Sequence, residues 1–131
     1  MDIGKAFANP EAENKGVWVE YRDGSKIKIA RIGSLTFTKA YDGALKPHRR
    51  KQRAGTMDTV LETRILCEVV SKTILLDWEG FTNEGKEYKY SRKRAYDLLW
   101  RNIDFRNEIV ELATVEETFH KDEQEDSEKN S

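Results

Sequence analysis

The sequence predicts a mainly α protein, a small helical bundle of about four helices with an N-terminal β-hairpin. Three observations lead there. Apolar residues fall at helical spacing in separate stretches between Leu35 and Phe119. Residues Val17–Ile32 alternate instead, with the period of a half-buried strand. Caps and turn residues separate these stretches at short intervals, which favours antiparallel neighbours. The chain has 131 residues, the size of one domain, and its hydrophobic (37%) and charged (36%) fractions nearly balance. One modest core under a heavily solvated surface follows.

Met1–Gly16 is short of apolar side chains and contains Asn9-Pro10. It reads as a flexible N-terminal arm, with Phe7 as its one candidate for docking. In the hairpin that follows, Asp23-Gly24 supplies the turn. A two-residue loop there sets Val19 opposite Lys28, on the wrong face. A three-residue loop, Arg22-Asp23-Gly24, sets Val19 opposite Ile27 and Val17 opposite Ile29. It also puts Gly24 at a left-handed position, where glycine costs least. Such a hairpin is marginal alone and must pack on helices.

After Gly33-Ser34 the period changes. Leu35, Phe37, Ala40, Tyr41, Ala44 and Leu45 mark a first helix, which Pro47 should weaken or kink and Gly55 should stop. Thr56 or Asp58 caps a second helix, and Gly80 ends it. Between them Met57, Leu61, Ile65, Val69 and Thr73 form one row, and Leu66, Val70 and Ile74 the adjacent one. That stripe suits the central helix of a bundle. Phe81–Lys89 reads as a polar loop holding Asn83 and Gly85. Ser91 opens a third helix with Ala95, Leu98 and Leu99 inward. A break at Asn102–Asp104 leads to a fourth, with Phe105, Ile109, Leu112, Ala113 and Phe119. Lys121–Ser131 contains no apolar residue and should form a disordered polar tail. The folded domain is therefore expected over 17–120.

Charge and motifs exclude several classes of function. With 24 acidic and 23 basic residues the formal charge is −1, which argues against a protein that coats nucleic acid. Apolar runs fall far short of the roughly 20 residues that span a bilayer. No secretory signal pattern opens the chain. The single cysteine, Cys67, cannot form an internal disulfide or a multi-cysteine zinc site, which fits a reducing compartment. His48 and His120 stand in no metal-binding spacing. Cys67 lies mid-helix and reads as a buried small hydrophobe rather than a nucleophile. Asp77 and Glu79 are too close in sequence for an acid–base pair. Neither phosphate-binding glycine motif occurs. No catalytic, metal or cofactor-binding residue is expected, and the reading is not an enzyme.

Two features remain as candidate partner-binding sites. One is the basic run 46–53, carrying Lys46, Arg49, Arg50, Lys51 and Arg53. It suits phosphates or an acidic partner; it suits better a solvated helix end, where cations complement the dipole, since the chain as a whole is not basic. No aromatic residue interleaves it, which disfavours single-strand binding by stacking. The other is Trp18, on the hairpin face opposite Val17, Val19 and Tyr21. If helices leave that face bare, Trp18 is an interface aromatic. Trp78 reads as a lid over the bundle end.

Several segments, taken in order, resemble the tail assembly chaperones of long-tailed, siphophage-type bacteriophages. They are Gly16-Val17-Trp18-Val19, Ile29-Ala30-Arg31, Lys39-Ala40 and Leu45-Lys46-Pro47 with Arg49-Arg50. The most specific is Thr73-Ile74-Leu75-Leu76-Asp77-Trp78-Glu79-Gly80, followed by Tyr90-Ser91 opening a helix with Ala95, Leu98 and Leu99. The resemblance spans Gly16 to Phe119 and departs at Arg92-Lys93, where proline and an acidic residue are expected.

The resemblance implies a non-enzymatic role in the host cytoplasm: binding the tape measure protein, keeping it soluble, and recruiting tail tube protein through an extended form. It implies absence from the mature virion. Lys121–Ser131 would suit a linker to such an extension. A protein masking a long amphipathic helix acts in many copies, so self-association is expected. Trp18 and the hairpin would serve it, while Arg49, Arg50, Lys51 and Arg53 would meet acidic stretches of a partner. The competing readings are a small nucleic-acid-binding regulator using the basic run, and a structural head–tail component.

Overall fold

Met1–Gly16 folds rather than trailing as an arm. The computed structural model describes residues 1–120, and the expected polar tail lies outside them. Two short helices, α1 (Ile3–Ala6) and α2 (Pro10–Lys15), start at Asx caps. The Asp2 and Asn9 side chains accept from the Gly4 and Glu11 N–H groups, and Pro10 sits at the first helical position, where its missing donor costs nothing. Phe7 stays 54% exposed; Ala8 and Ala12 are the residues that dock. Backbone bonds from Asn9 N–H to the Phe119 carbonyl (3.2 Å) and from Arg31 N–H to the Glu13 carbonyl (2.8 Å) tie the segment down. An Arg31–Glu13 ion pair at 2.8 Å adds to them.

The hairpin has the three-residue register read from the sequence. In β1 (Val17–Glu20) and β2 (Lys26–Ile29), Val17 faces Ile29 and Val19 faces Ile27. The Tyr21 N–H donates to the Ser25 carbonyl at 2.8 Å and closes the loop. Asp23 (φ 56°) joins Gly24 (φ 78°) in the left-handed region, which aspartate tolerates better than most residues. The first helix, α3 (Leu35–Leu45), is capped by Ser34. Pro47 turns it into a 3-10 turn, Lys46–His48, before the short α4 (Arg49–Arg53). The next helix, α5 (Thr59–Thr73), is capped by Asp58.

At this point the bundle with only an N-terminal hairpin is overturned. The second helix does not run to Gly80. It stops at Thr73, and Leu75–Glu79 becomes a strand, β3, antiparallel to β2 in a sheet of order β1-β2-β3. Periodicity cannot separate a short apolar run such as Ile74-Leu75-Leu76 into helix or strand. The edge of β2 decides it. Its unpaired backbone groups need partners, and a two-strand ribbon is marginal. Trp78 pairs with Ile27 and is 4% exposed, so it is a residue of the sheet rather than a lid on a helix end. The expected polar loop also carries structure. Here β4 (Thr82–Asn83) and β5 (Lys86–Glu87) form a second, two-stranded sheet. Glu84 (φ 53°) and Gly85 (φ 80°) make its two-residue turn, both in the left-handed conformation that suits tight hairpins.

Ser91 caps α6 (Arg92–Arg101), and extended Asn102 separates it from α7 (Ile103–Thr114). One face of the three-stranded sheet, with Val17, Ile27, Ile29, Leu75 and Trp78, packs on Cys67, Val70 and Ile74 around α5. Ala95 and Leu99 of α6, and Ile109 and Ala113 of α7, complete that core. A 3-10 turn, Glu116–Phe119, drives Phe119 fully into it. A second cluster, centred on Leu45, Ile65 and Val69, joins α3 to α5. The opposite sheet face holds Trp18 beside Lys28 and Asp77, with Glu20 beside Lys26 and Glu79. Alternating charge across strands is what a solvated face favours. No helix among the described residues is long and apolar enough to cross a membrane.

Candidate functional site

The first hairpin turn, the β4–β5 hairpin and the α6–α7 junction enclose an open cleft of about 1090 Å³. Its floor is aromatic. Phe81 stacks on the buried Trp78 with centroids 4.6 Å apart, and Phe105 meets Phe81 edge-on at 6.2 Å. Tyr21 lies edge-on to Phe105 at 5.9 Å. Tyr88 also stacks on Trp78, at 5.8 Å, and the indole Nε1–H donates to the Tyr88 carbonyl at 2.7 Å. Tyr90 donates its hydroxyl to the Leu75 carbonyl at 2.8 Å, which pins this segment against β3. Trp78 is thus the hub that orients the rings around it.

The rim is charged. Arg22, Asp23, Asp97, Arg101 and Asp104 line the mouth beside Leu98 and the exposed Ile103. Glu108, one turn into α7, receives both the Tyr21 hydroxyl and the Arg22 guanidinium. These two donors hold the Glu108 carboxyl below its usual range. Burial first, and donation to Glu108 second, push the Tyr21 hydroxyl well above its own. The pair staples the hairpin turn to the helical layer and fixes one wall of the cleft. Such a site presents apolar faces ringed by charge, and its chemistry is recognition: rings accept apolar or cationic groups, and carboxylates select the charge.

The candidate residues read from the sequence lie elsewhere. Lys46, Arg49, Arg50, Lys51 and Arg53 gather on the 3-10 turn and α4. Arg49 pairs with Asp42. Among the described residues, Lys46, Arg50, Lys51 and Arg53 have no carboxylate at ion-pair distance, and all four are exposed. Trp18 is half-buried on the outer sheet face and belongs to neither the core nor the cleft. The structure therefore does not bring Trp18 and the basic run into one site. Cys67 is buried at 1% exposure, and burial pushes its thiol up. No group of His, Cys, Asp and Glu among the described residues could hold a metal ion. The cleft itself was missed because Tyr21, Phe81 and Phe105 are far apart in sequence. The one local signal was the density of aromatic residues between Trp78 and Tyr90.

These elements define an α+β domain in which helices cover one face of a three-stranded antiparallel sheet and an aromatic cleft opens at its end. Over residues 32–130 the sequence matches the YdaY prophage protein family, and the chain belongs to that family. It is a phage-derived protein. No curated protein and no solved structure matches the chain. The family match takes in the β4–β5 flank and helical walls of the cleft but begins after the hairpin that supplies Tyr21 and Arg22.

Proposed function

We propose that this prophage protein is a tail assembly chaperone, a non-enzymatic protein that binds the tape measure protein in the host cytoplasm. It keeps that long helical polypeptide soluble, promotes tail tube assembly and stays out of the finished virion. The observation that carries this reading is the open aromatic cleft in a protein of phage origin. An amphipathic helix offers apolar side chains at i, i+3 and i+4, and a groove with an aromatic floor and charged rim is the surface such a face enters. Interface energy concentrates in a few aromatic and arginine anchors, and Tyr21, Phe81 and Phe105 are placed to act as those anchors.

The test is co-expression with the tape measure protein of the same prophage, measuring how much stays soluble and co-purifies. Rescue with a stable complex is expected. A Phe81→Ser/Phe105→Ser variant that still folds should lose most of it. No complex and no rescue would overturn the reading, and binding to DNA or RNA that collapses as salt rises would favour a nucleic-acid regulator instead. Mass spectrometry of purified particles checks the remaining clause, since a chaperone is missing from them and a head–tail component is present.

A further inference from the structure

The molecule carries two complementary charged surfaces that its own fold keeps apart. On α4 and the turn before it, the exposed cations Lys46, Arg50, Lys51 and Arg53 have no ion-pair partner among the described residues. At the mouth of the cleft, Asp23, Asp97 and Asp104 likewise have none; of the two arginines there Arg22 is already taken by Glu108, and Arg101 remains, so unpaired carboxylates outnumber the unpaired cation three to one. No residue lining the cleft belongs to α3, α4 or α5. The basic segment follows α3, which packs on α5 through Leu45, Ile65 and Val69, and none of its residues lines the cleft.

We infer that the basic segment Lys46–Arg53 of one copy docks in the aromatic, acid-rimmed cleft of a second copy. The chemistry matches at each level. Arg50 and Arg53 are three residues apart on a helical turn and share a face. Their guanidinium planes stack on tyrosine and phenylalanine rings, and their charge meets carboxylates that lack a partner. The segment is short, and none of the α4 residues is buried, so it can enter a cleft of about 1090 Å³. The contact is heterologous, a patch on one surface meeting a different patch on the next. It uses the cleft assigned above to the client, so the tape measure protein would compete with it. The contact itself is tested without that client, and its failure leaves the chaperone reading standing.

The experiment is sedimentation velocity of the full chain over a range of concentration, at low and high salt. The wild type should form oligomers that dissociate as salt rises. Arg50→Glu/Arg53→Glu and Asp97→Lys/Asp104→Lys should each be monomeric, with association weakened about tenfold or more. Circular dichroism confirms that each remains folded, and the neutral sets Arg50→Gln/Arg53→Gln and Asp97→Asn/Asp104→Asn serve if a reversal does not fold. The decisive sample is the equimolar mixture of the two reversed variants. One copy then retains an intact cleft and the other an intact basic segment, so a heterodimer should form. A mixture that stays monomeric, a wild type that is monomeric throughout, or oligomers that survive either reversal would overturn the inference.

Discussion

Replacing Trp78 with Phe tests the hub of the cleft. The indole is 4% exposed, with Phe81 at 4.6 Å, Tyr90 at 5.0 Å and Tyr88 at 5.8 Å around it. Phenylalanine keeps a ring but loses buried atoms and the Nε1–H donor. The lost hydrogen bond to the Tyr88 carbonyl costs about 1 kcal/mol, and more where water does not reach the freed oxygen. Lost stacking and the residual void add about 1–2 kcal/mol. The sum, about 2–3 kcal/mol, lies below the roughly 3–5 kcal/mol expected for Trp78→Ala. It should lower Tm by about 10 °C for a domain of this size. Urea unfolding followed by far-ultraviolet circular dichroism reads the midpoint, with the slope m unchanged if only the native state is affected. A phenylalanine variant within about 0.5 kcal/mol of wild type would refute the hub role, since a well-packed indole with a satisfied donor is not lost so cheaply.

Other consequences can be read directly. Gly16 has φ 88°, and a Cβ there would lie 2.9 Å from Leu76 Cδ1 and 3.1 Å from the Ile29 carbonyl oxygen. Gly16→Ala should destabilise by about 2 kcal/mol in the same urea assay, combining strain at positive φ with overpacking. The Cys67 thiol, buried and pushed up, should resist iodoacetamide in the native protein at neutral pH and alkylate fully in urea, as mass spectrometry would show. The Glu108 carboxyl is depressed in the folded protein from an ordinary value of 4.5. The stability it contributes is therefore complete above that value and is lost as pH falls through the lower, folded one. An acid titration of stability should show this loss, and Glu108→Gln should flatten it. Trp18→Ala, on the solvated sheet face, should change stability by about 1 kcal/mol or less, measured by the same unfolding curve.

What was legible in the sequence was local. Ser34, Asp58 and Ser91 cap helices because a side-chain oxygen meets an N–H two or three residues on. Pro47 breaks α3 through its own missing donor. The hairpin register followed from face alternation and loop length, both contained within Val17–Ile29. Asn9-Pro10 suggests a loose segment when only the sequence is considered, yet the same pair is a cap followed by an N1 proline. The residues that fasten this segment, Arg31 and Phe119, lie far along the chain. The basic run was visible as a run, but that Lys46, Arg50, Lys51 and Arg53 have no ion-pair partner among the described residues emerges only from the tertiary structure.

The sequence by itself determined that helices lie after Ser34, Asp58 and Ser91, and how the first hairpin pairs. Each depends on atoms a few residues apart. Tertiary structure alone decided that Leu75–Glu79 is a strand, because the deciding energy is the backbone pairing offered by β2, not the propensity of the segment. It also decided that there is a cleft. Tyr21, Phe81 and Phe105 become one surface only when the sheet brings the hairpin turn against α7, and Glu108 holds it there through a tyrosine and an arginine from the opposite end of the chain.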